Sequence, residues 1–217
     1  MKDRFYHYIL VGILWIAALP IMSQKDTEAK ALLEKTTQAI KKVGGIEADF
    51  TLATIQRELL RNEIKGSIRL QGEKFCLTTS DIITWFDGKT QWSYLLANEE
   101  VNISTPTKEE LQSINPYAFL NLYRKGYDYK MGTTTSYQGK NVYEIILTAE
   151  DFERPLSNIT LYIDCTSLLP IYIKLKEAGK DYNVINISKY QTNLKWKDKD
   201  FVFDTKQYPN VEIIDLR

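Results

Sequence analysis

The residues of this chain from which His- or Cys-based catalysis, a metal centre or a carboxylate pair could be built are one histidine, two cysteines and its acids. The histidine, His7, sits in an N-terminal stretch with the three parts of an export signal. Lys2 and Arg4 come first, an apolar run follows from Tyr8 to Met22, and the small residue Ser23 closes it. With residues 1–23 removed, the mature chain is expected to start at Gln24. It then has no Ser-His or Cys-His mechanism open to it and no His-ligated metal site. Cys76 and Cys165 are too far apart for a Cys-x-x-Cys redox pair. In an oxidising compartment they either form a disulfide or stay as two buried thiols, and their spacing does not choose between the two. Adjacent carboxylates occur at Glu99-Glu100, Glu109-Glu110 and Glu150-Asp151. Neighbouring strand residues point to opposite faces, so these pairs read as solvated turns and helix starts, not as the two acids of a glycosidase. With no Gly-x-Ser-x-Gly elbow and no glycine-rich phosphate loop either, the residues predict no catalysis, no metal and no cofactor.

Charge narrows the partners. Of 28 basic and 28 acidic side chains, Lys2, Arg4 and Asp3 fall in the signal, leaving 26 against 27. A near-neutral chain has no basic excess to neutralise phosphates, so nucleic acid is not expected. The N-terminal apolar run is broken by Pro20 and falls short of the roughly 20 residues needed to span a bilayer. No cysteine lies near Ser23 to be lipidated, so a soluble exported product is expected.

The elements that would carry a site are mostly strands. From Asp26 to Val43 the positions Ala29, Leu32, Leu33, Thr36, Ala39, Ile40 and Val43 follow helical spacing, and Gly44-Gly45 stops the pattern. A period of two takes over at Ile46, Ala48, Phe50 and Leu52. It recurs at Ile64 to Leu70, Phe75 to Thr79, Tyr143 to Leu147, Ile159 to Ile163 and Ile171 to Leu175. Hairpin signals separate the runs at Asp87-Gly88-Lys89, Gln138-Gly139-Lys140, Leu169-Pro170 and Ala178-Gly179-Lys180. An antiparallel meander is expected, continued by late strands at Val184–Tyr190, Phe201–Phe203 and Val211–Leu216. Thr105-Pro106 and Asn115-Pro116 each place a capping side chain before a proline, which predicts two short mid-chain helices. The second, with Tyr117, Phe119, Leu120, Leu122 and Tyr123 before Gly126, is too apolar to stand exposed. No linker composition divides residues 24–217, which read as one domain.

The most distinctive stretch is Trp85-Phe86-Asp87-Gly88-Lys89-Thr90-Gln91-Trp92-Ser93-Tyr94, a hairpin with aromatics on both arms. On its residues alone it is either ordinary cross-strand packing or the lining of a cavity. Its Asp87-Gly88-Lys89-Thr90-x-Trp92-x-Tyr94 core resembles the signature of LolA-like outer-membrane lipoprotein carrier proteins. The opening helix running into Ile46-Glu47-Ala48-Asp49-Phe50-Thr51, the strand led by Gly66, the segment from Asn115-Pro116 to Leu122, and Phe201-Val202-Phe203 followed by Val211-Glu212-Ile213 are similar to other parts of that family.

The resemblance implies an α+β, mostly β fold: an open half-barrel of about eleven antiparallel strands under a helical lid. It implies a monomeric periplasmic carrier that takes up the acyl chains of lipoproteins and shuttles them from inner to outer membrane. An inner-membrane lipoprotein-releasing ABC transporter would load it, and an outer-membrane acceptor is a further possible partner. The cavity would be lined by Phe50, Ile68, Leu77, Trp85, Trp92, Tyr94, Tyr143, Ile145, Leu161 and Ile173. Leu111, Ile114, Phe119, Leu120 and Tyr123 would belong to the lid. Where the family commonly carries a Lys-Arg-Pro latch, this chain has Gln71-Gly72-Glu73, with Arg69 nearby. The reading from another class is a periplasmic lipid- or peptide-sensing regulatory module on the same scaffold. Such modules usually bring a second domain, which the length here does not favour.

Overall fold

The computed structural model describes residues 26–107, 110–111, 123–124, 126–151, 153–177 and 179–217. The export-signal reading of residues 1–23, and most of the two mid-chain helices, lie outside them. The first element, α1 (Thr27–Lys42), starts where the sequence predicts because Asp26 caps it, accepting from the amides of Glu28 at 2.8 Å and Ala29 at 3.2 Å. The other Asp26 oxygen accepts from Met131 N at 2.9 Å, and Asp26 N donates to Tyr129 O, so the cap also pins the helix to the sheet. These amides hold the Asp26 carboxyl below its ordinary range. Ala29, Leu32, Leu33 and Thr36 form the buried stripe, and Gly44, at φ +66°, turns the chain into the first strand.

Strands follow in chain order: β1 (Gly45–Gln56), β2 (Leu59–Gln71), β3 (Lys74–Thr79), β4 (Ile82–Phe86), β5 (Gln91–Leu95), β6 (Glu100–Ser104), β7 (Tyr127–Met131), β8 (Thr135–Tyr137), β9 (Lys140–Ala149), β10 (Leu156–Asp164), β11 (Pro170–Glu177), β12 (Tyr182–Leu194) and β13 (Glu212–Asp215). They form one open sheet of thirteen strands, where the family resemblance implies about eleven, in the order β13-β6-β5-β4-β3-β2-β1-β12-β11-β10-β9-β7, with β8 paired to β9. One arm runs from β1 out to β6, the other from β12 out to β7, and the two meet where β1 pairs β12. Along that seam β12 takes two register shifts against β1, with Lys189 and Asn193 at positive φ. Bulges of this kind bend and twist a sheet, and here they lie at the root of both arms. Gly45 is required at the same place, since a Cβ there would stand 2.4 Å from Leu194 O.

Three expectations are corrected. Phe201–Phe203 is not a strand: Asp198–Phe201 is a 3₁₀ turn and the chain then runs on without a ladder partner. An unpaired extended segment turns alternate side chains the same way as a strand does, so periodicity does not tell them apart. The C-terminal strand β13 does form, but it pairs β6 in parallel and does not extend the antiparallel meander. Mid-chain, the helical turn reaching Glu110 and Leu111 is capped by Thr107, not Thr105. Thr107 Oγ1 accepts from Glu110 N at 3.2 Å, while the Glu110 carboxylate accepts from Thr107 N at 2.7 Å.

The sheet buries apolar residues on both faces. On the inner face, residues of β3 and β4 (Phe75, Phe86) and of β7 and β9 (Tyr129, Ile145, Leu147) join one cluster with the stripe of α1, so the two arms curl round the helix. On the outer face a second cluster gathers Cys76, Trp85 and Val101 beneath Phe201 and Phe203. At the tight connection after β10, Asp164 is buried and accepts from Thr166 N at 2.8 Å, Ser167 N at 3.3 Å and Lys140 Nζ at 2.8 Å. Burial pushes its carboxyl up, but the Lys140 ammonium and the two amides outweigh that and hold it below its ordinary value. Asp164→Ala is expected to cost about 2–3 kcal/mol in a urea titration, because two turn amides lose their acceptor. Asp164→Asn keeps an acceptor and is expected to lose about half as much. Since the folded carboxyl titrates lower than the unfolded one, its contribution is present above about pH 4 and fades as the pH falls below that. The difference between wild type and Asp164→Ala should shrink accordingly.

Candidate functional site

A single row of aliphatic side chains crosses seven strands of the inner face. Ladder pairing sets Met131 opposite Ile145, Ile145 opposite Leu161, Leu161 opposite Ile173, Ile173 opposite Ile185, Ile185 opposite Leu52 and Leu52 opposite Ile64. Its middle is closed: Ile145, Leu161 and Ile173 are 0% exposed and share one cluster with the buried stripe of α1. Toward β12, β1 and β2 it opens, and Ile185, Leu52 and Ile64 are only half-buried. Beside this open end lie half-buried Phe50 and Leu77. Phe50 sits opposite Ile187 on one side and Gly66 on the other. Its ring lies over Gly66, where a Cβ would come 2.6 Å from Phe50 Cζ and 2.4 Å from Thr78 O. The glycine lets the ring lie down along the sheet. No charged side chain interrupts the row, so it offers an apolar lane and nothing that would anchor a polar ligand.

The predicted lining separates into two groups. Phe50, Ile68, Leu77, Tyr143, Ile145, Leu161 and Ile173 belong to the inner cluster or pack against it. Ile68, Ile145, Leu161 and Ile173 are its closed floor, and Phe50 and Leu77 lie at its open side. Trp85, Trp92 and Tyr94 are not with them. They belong to the outer cluster, where Trp85 meets Phe203 edge-on at 5.6 Å and Tyr94 lies 4.9 Å from Tyr208. Trp85 pairs Trp92 across the Asp87-Gly88 hairpin, and it is Phe86, one residue on, that turns inward against Phe75. Leu52 and Ile64, which complete the lane, are not among the expected lining residues, yet they stand in phase with Phe50 and Ile68, and that phase is the signal in the sequence that marks them. Of the predicted lid, Leu111 packs on the inner cluster and Tyr123 is buried, edge-on to Tyr129 at 5.8 Å. Ile114, Phe119 and Leu120 lie outside the described residues.

The neighbours of the missing latch face the other way. Arg69 pairs with Glu47 at 3.7 Å and lies over the Trp196 ring at 5.3 Å, on the outer face. Gln71 bridges to the C-terminal segment, its Oε1 accepting from Trp196 N at 3.0 Å and its Nε2 donating to Trp196 O at 3.4 Å. Neither residue reaches the inner face. Between that segment and β3–β4 lies an outer cleft of about 520 Å³, lined in part by Arg69, Cys76, Trp85, Lys199, Phe203 and Tyr208. A second groove of about 470 Å³, also on the outer side, is polar, with Asp49, Lys65, Ser67 and Lys189 among its walls. Cys76 and Cys165 are both free thiols, and burial pushes the Cys76 thiol up despite the Arg69 charge nearby. Among the described residues no helix is long and apolar enough to cross a membrane.

The sequence model of one protein family, described as outer membrane lipoprotein carrier protein LolA, matches residues 19–179. The seam strand β12, the C-terminal segment and β13 lie beyond the match. No curated protein matches the chain in sequence. Among solved structures, an uncharacterised conserved protein from Thermus thermophilus superposes with a TM-score of 0.62 at 9% identity, covering 87% of this chain and 99% of that one. A LolA superfamily protein from Nitrosomonas europaea gives a TM-score of 0.46 at 11% identity, covering 81% of this chain and 97% of the other. A lipoprotein-sorting protein domain from Vibrio parahaemolyticus gives 0.47 at 9% identity, covering 80% and 96%.

Proposed function

Because this chain belongs to the family of outer membrane lipoprotein carrier proteins described as LolA, we propose that it is a periplasmic carrier that shelters acyl chains of lipoproteins on the inner face of its sheet. The observation that carries the reading is the lane: apolar residues continue from the closed floor onto β12, β1, β2 and β3 and stay half-buried at Phe50, Leu52, Ile64, Leu77 and Ile185. Apolar surface left partly open beside a packed core is surface with a use. An acyl chain suits it, because it needs length and greasiness and no hydrogen bonds. Binding would involve no covalent step, so the protein acts as a carrier and not as a catalyst. An export signal over residues 1–23 would bring it to the compartment where such cargo travels. An inner-membrane lipoprotein-releasing transporter would load it, and an acceptor at the outer membrane would take the cargo.

Titration of the chain lacking residues 1–23 with saturated fatty acids of increasing length tests this. Each buried methylene contributes about 0.8 kcal/mol, so affinity is expected to rise about three- to fourfold per carbon until the lane is filled. Affinity that ignores chain length would defeat the proposal. Mass spectrometry of protein taken from its native periplasm identifies the cargo. A bound lipoprotein supports carriage, whereas empty protein held by a membrane signalling subunit would favour the sensing module.

A further inference from the structure

The hairpin joining β1 to β2 ends in a two-residue turn, Arg57-Glu58, between the facing pair Gln56 and Leu59. Both turn residues have positive φ, +50° and +65°, as a type I′ turn requires, yet neither is the glycine or asparagine such turns favour. Just beyond come Leu59 and Leu60, 59% and 58% exposed. The only other exposed large hydrophobics among the described residues are Ile213 and Leu216, at the far edge of the sheet. Consecutive strand residues point to opposite faces, so the two leucines leave the ribbon on opposite sides. A protein partner with one contact face would bury one leucine and leave the other wet, and a tip this small falls far short of the area a stable interface needs. A bilayer surrounds whatever is pushed into it and takes both.

The charges agree. The acids at the tip are engaged within the protein: Asp181 accepts from Arg57 N at 3.2 Å, and the Glu58 carboxylate accepts from Tyr182 OH at 3.4 Å. Arg57 and Arg61 are exposed, and among the described residues no carboxylate pairs with either guanidinium. Two leucines flanked by two such arginines, with the Glu58 and Asp181 carboxylates tied back to Tyr182 and to the Arg57 backbone, form an apolar point whose unpaired charges are the guanidinium groups, which suits an anionic lipid surface. We infer that the β1–β2 hairpin is a membrane-contact tip, inserting Leu59 and Leu60 among acyl chains while Arg57 and Arg61 meet anionic headgroups. The inference rests on the carrier reading for its purpose: the same hairpin carries Leu52 and Ile64, so a docked tip would lay the open end of the lane against the bilayer.

Co-sedimentation of the chain lacking residues 1–23 with phosphatidylcholine vesicles, with and without phosphatidylglycerol, tests it. Leu59→Ser/Leu60→Ser is expected to weaken binding at least about tenfold. Arg57→Ser/Arg61→Ser should abolish most of the gain from phosphatidylglycerol, about fivefold per arginine. Ile213→Ser/Leu216→Ser should bind as wild type. In Leu60→Trp, fluorescence should shift to the blue on adding vesicles by more than in the unmodified chain, which keeps the question answerable if the serine pair folds poorly. Unchanged sedimentation of the leucine pair, an equal loss in the far-edge pair, or no added blue shift would overturn the inference. Uptake of a soluble fluorescent fatty acid, read in parallel, should be unaffected in Leu59→Ser/Leu60→Ser. If the unmodified chain takes up none, the carrier reading falls whatever the vesicles show.

Discussion

Phe201→Ala is expected to destabilise the fold by about 3–5 kcal/mol, the range for removing a fully buried aromatic ring. Phe201 is 0% exposed and is, with Val101, one of the two fully buried residues of the outer cluster. It brings the segment between β12 and β13 down onto Cys76, Trp85 and Val101. Polar clamps assist it: Gln71 on the backbone of Trp196, and Lys74 on Asp198 at 2.7 Å. The ion pair is exposed and worth little alone, and the Gln71 hydrogen bonds contribute about 1 kcal/mol each, so the ring should dominate. For a chain of this size the loss corresponds to a fall of roughly 10 °C in Tm, read by thermal denaturation. A loss under about 1 kcal/mol would mean that the outer cluster is not a packed core. Fatty-acid uptake by the fraction that stays folded should be unchanged, because the ring sits on the face opposite the lane.

The largest effect on binding is expected from Leu52→Thr/Ile64→Thr. These residues face each other across β1 and β2 and are half-buried, so threonine keeps the strands in place at modest cost to stability. Each replacement removes apolar contact worth about 1.4 kcal/mol to a bound chain, and together they should lower affinity for a fluorescent long-chain fatty acid about 100-fold. Ile213→Thr on β13 serves as the surface control. Unchanged uptake by the double variant would move the cargo off this part of the sheet.

These two residues also show how far the sequence can be read. The alternation that marks β1, β2 and β9 to β12 is strong, and so is the capping carboxylate of Asp26, so α1 and most of the sheet are legible before any coordinates. What periodicity cannot supply is phase between strands. Trp85, Trp92 and Tyr94 look like a cavity wall because they are large and adjacent, yet which of Trp85 and Phe86 turns inward depends on how β4 pairs β3, with Phe75 against Phe86 and Cys76 against Trp85. The outer face, moreover, has its own cover. Phe201, Phe203 and Tyr208 come from a segment more than 100 residues downstream of the hairpin they pack on, and no local pattern announces it. The strands β6, β7 and β8 are short and mixed in composition, and they pass unnoticed for the same reason.

The seam between β1 and β12 has a kinetic consequence. It joins residues about 130 positions apart, such as Ile55 and Tyr182, so each arm can zip up by local hairpins while the seam must wait for the two ends of the chain to find each other. Folding should therefore be paced by that closure, on the slow side for a domain of this length. Until it happens, two long ribbon margins with unpaired amides lie open to mispairing with neighbouring copies. A holdase that shields those margins would raise the yield of folded protein more than one that hastens hairpin formation.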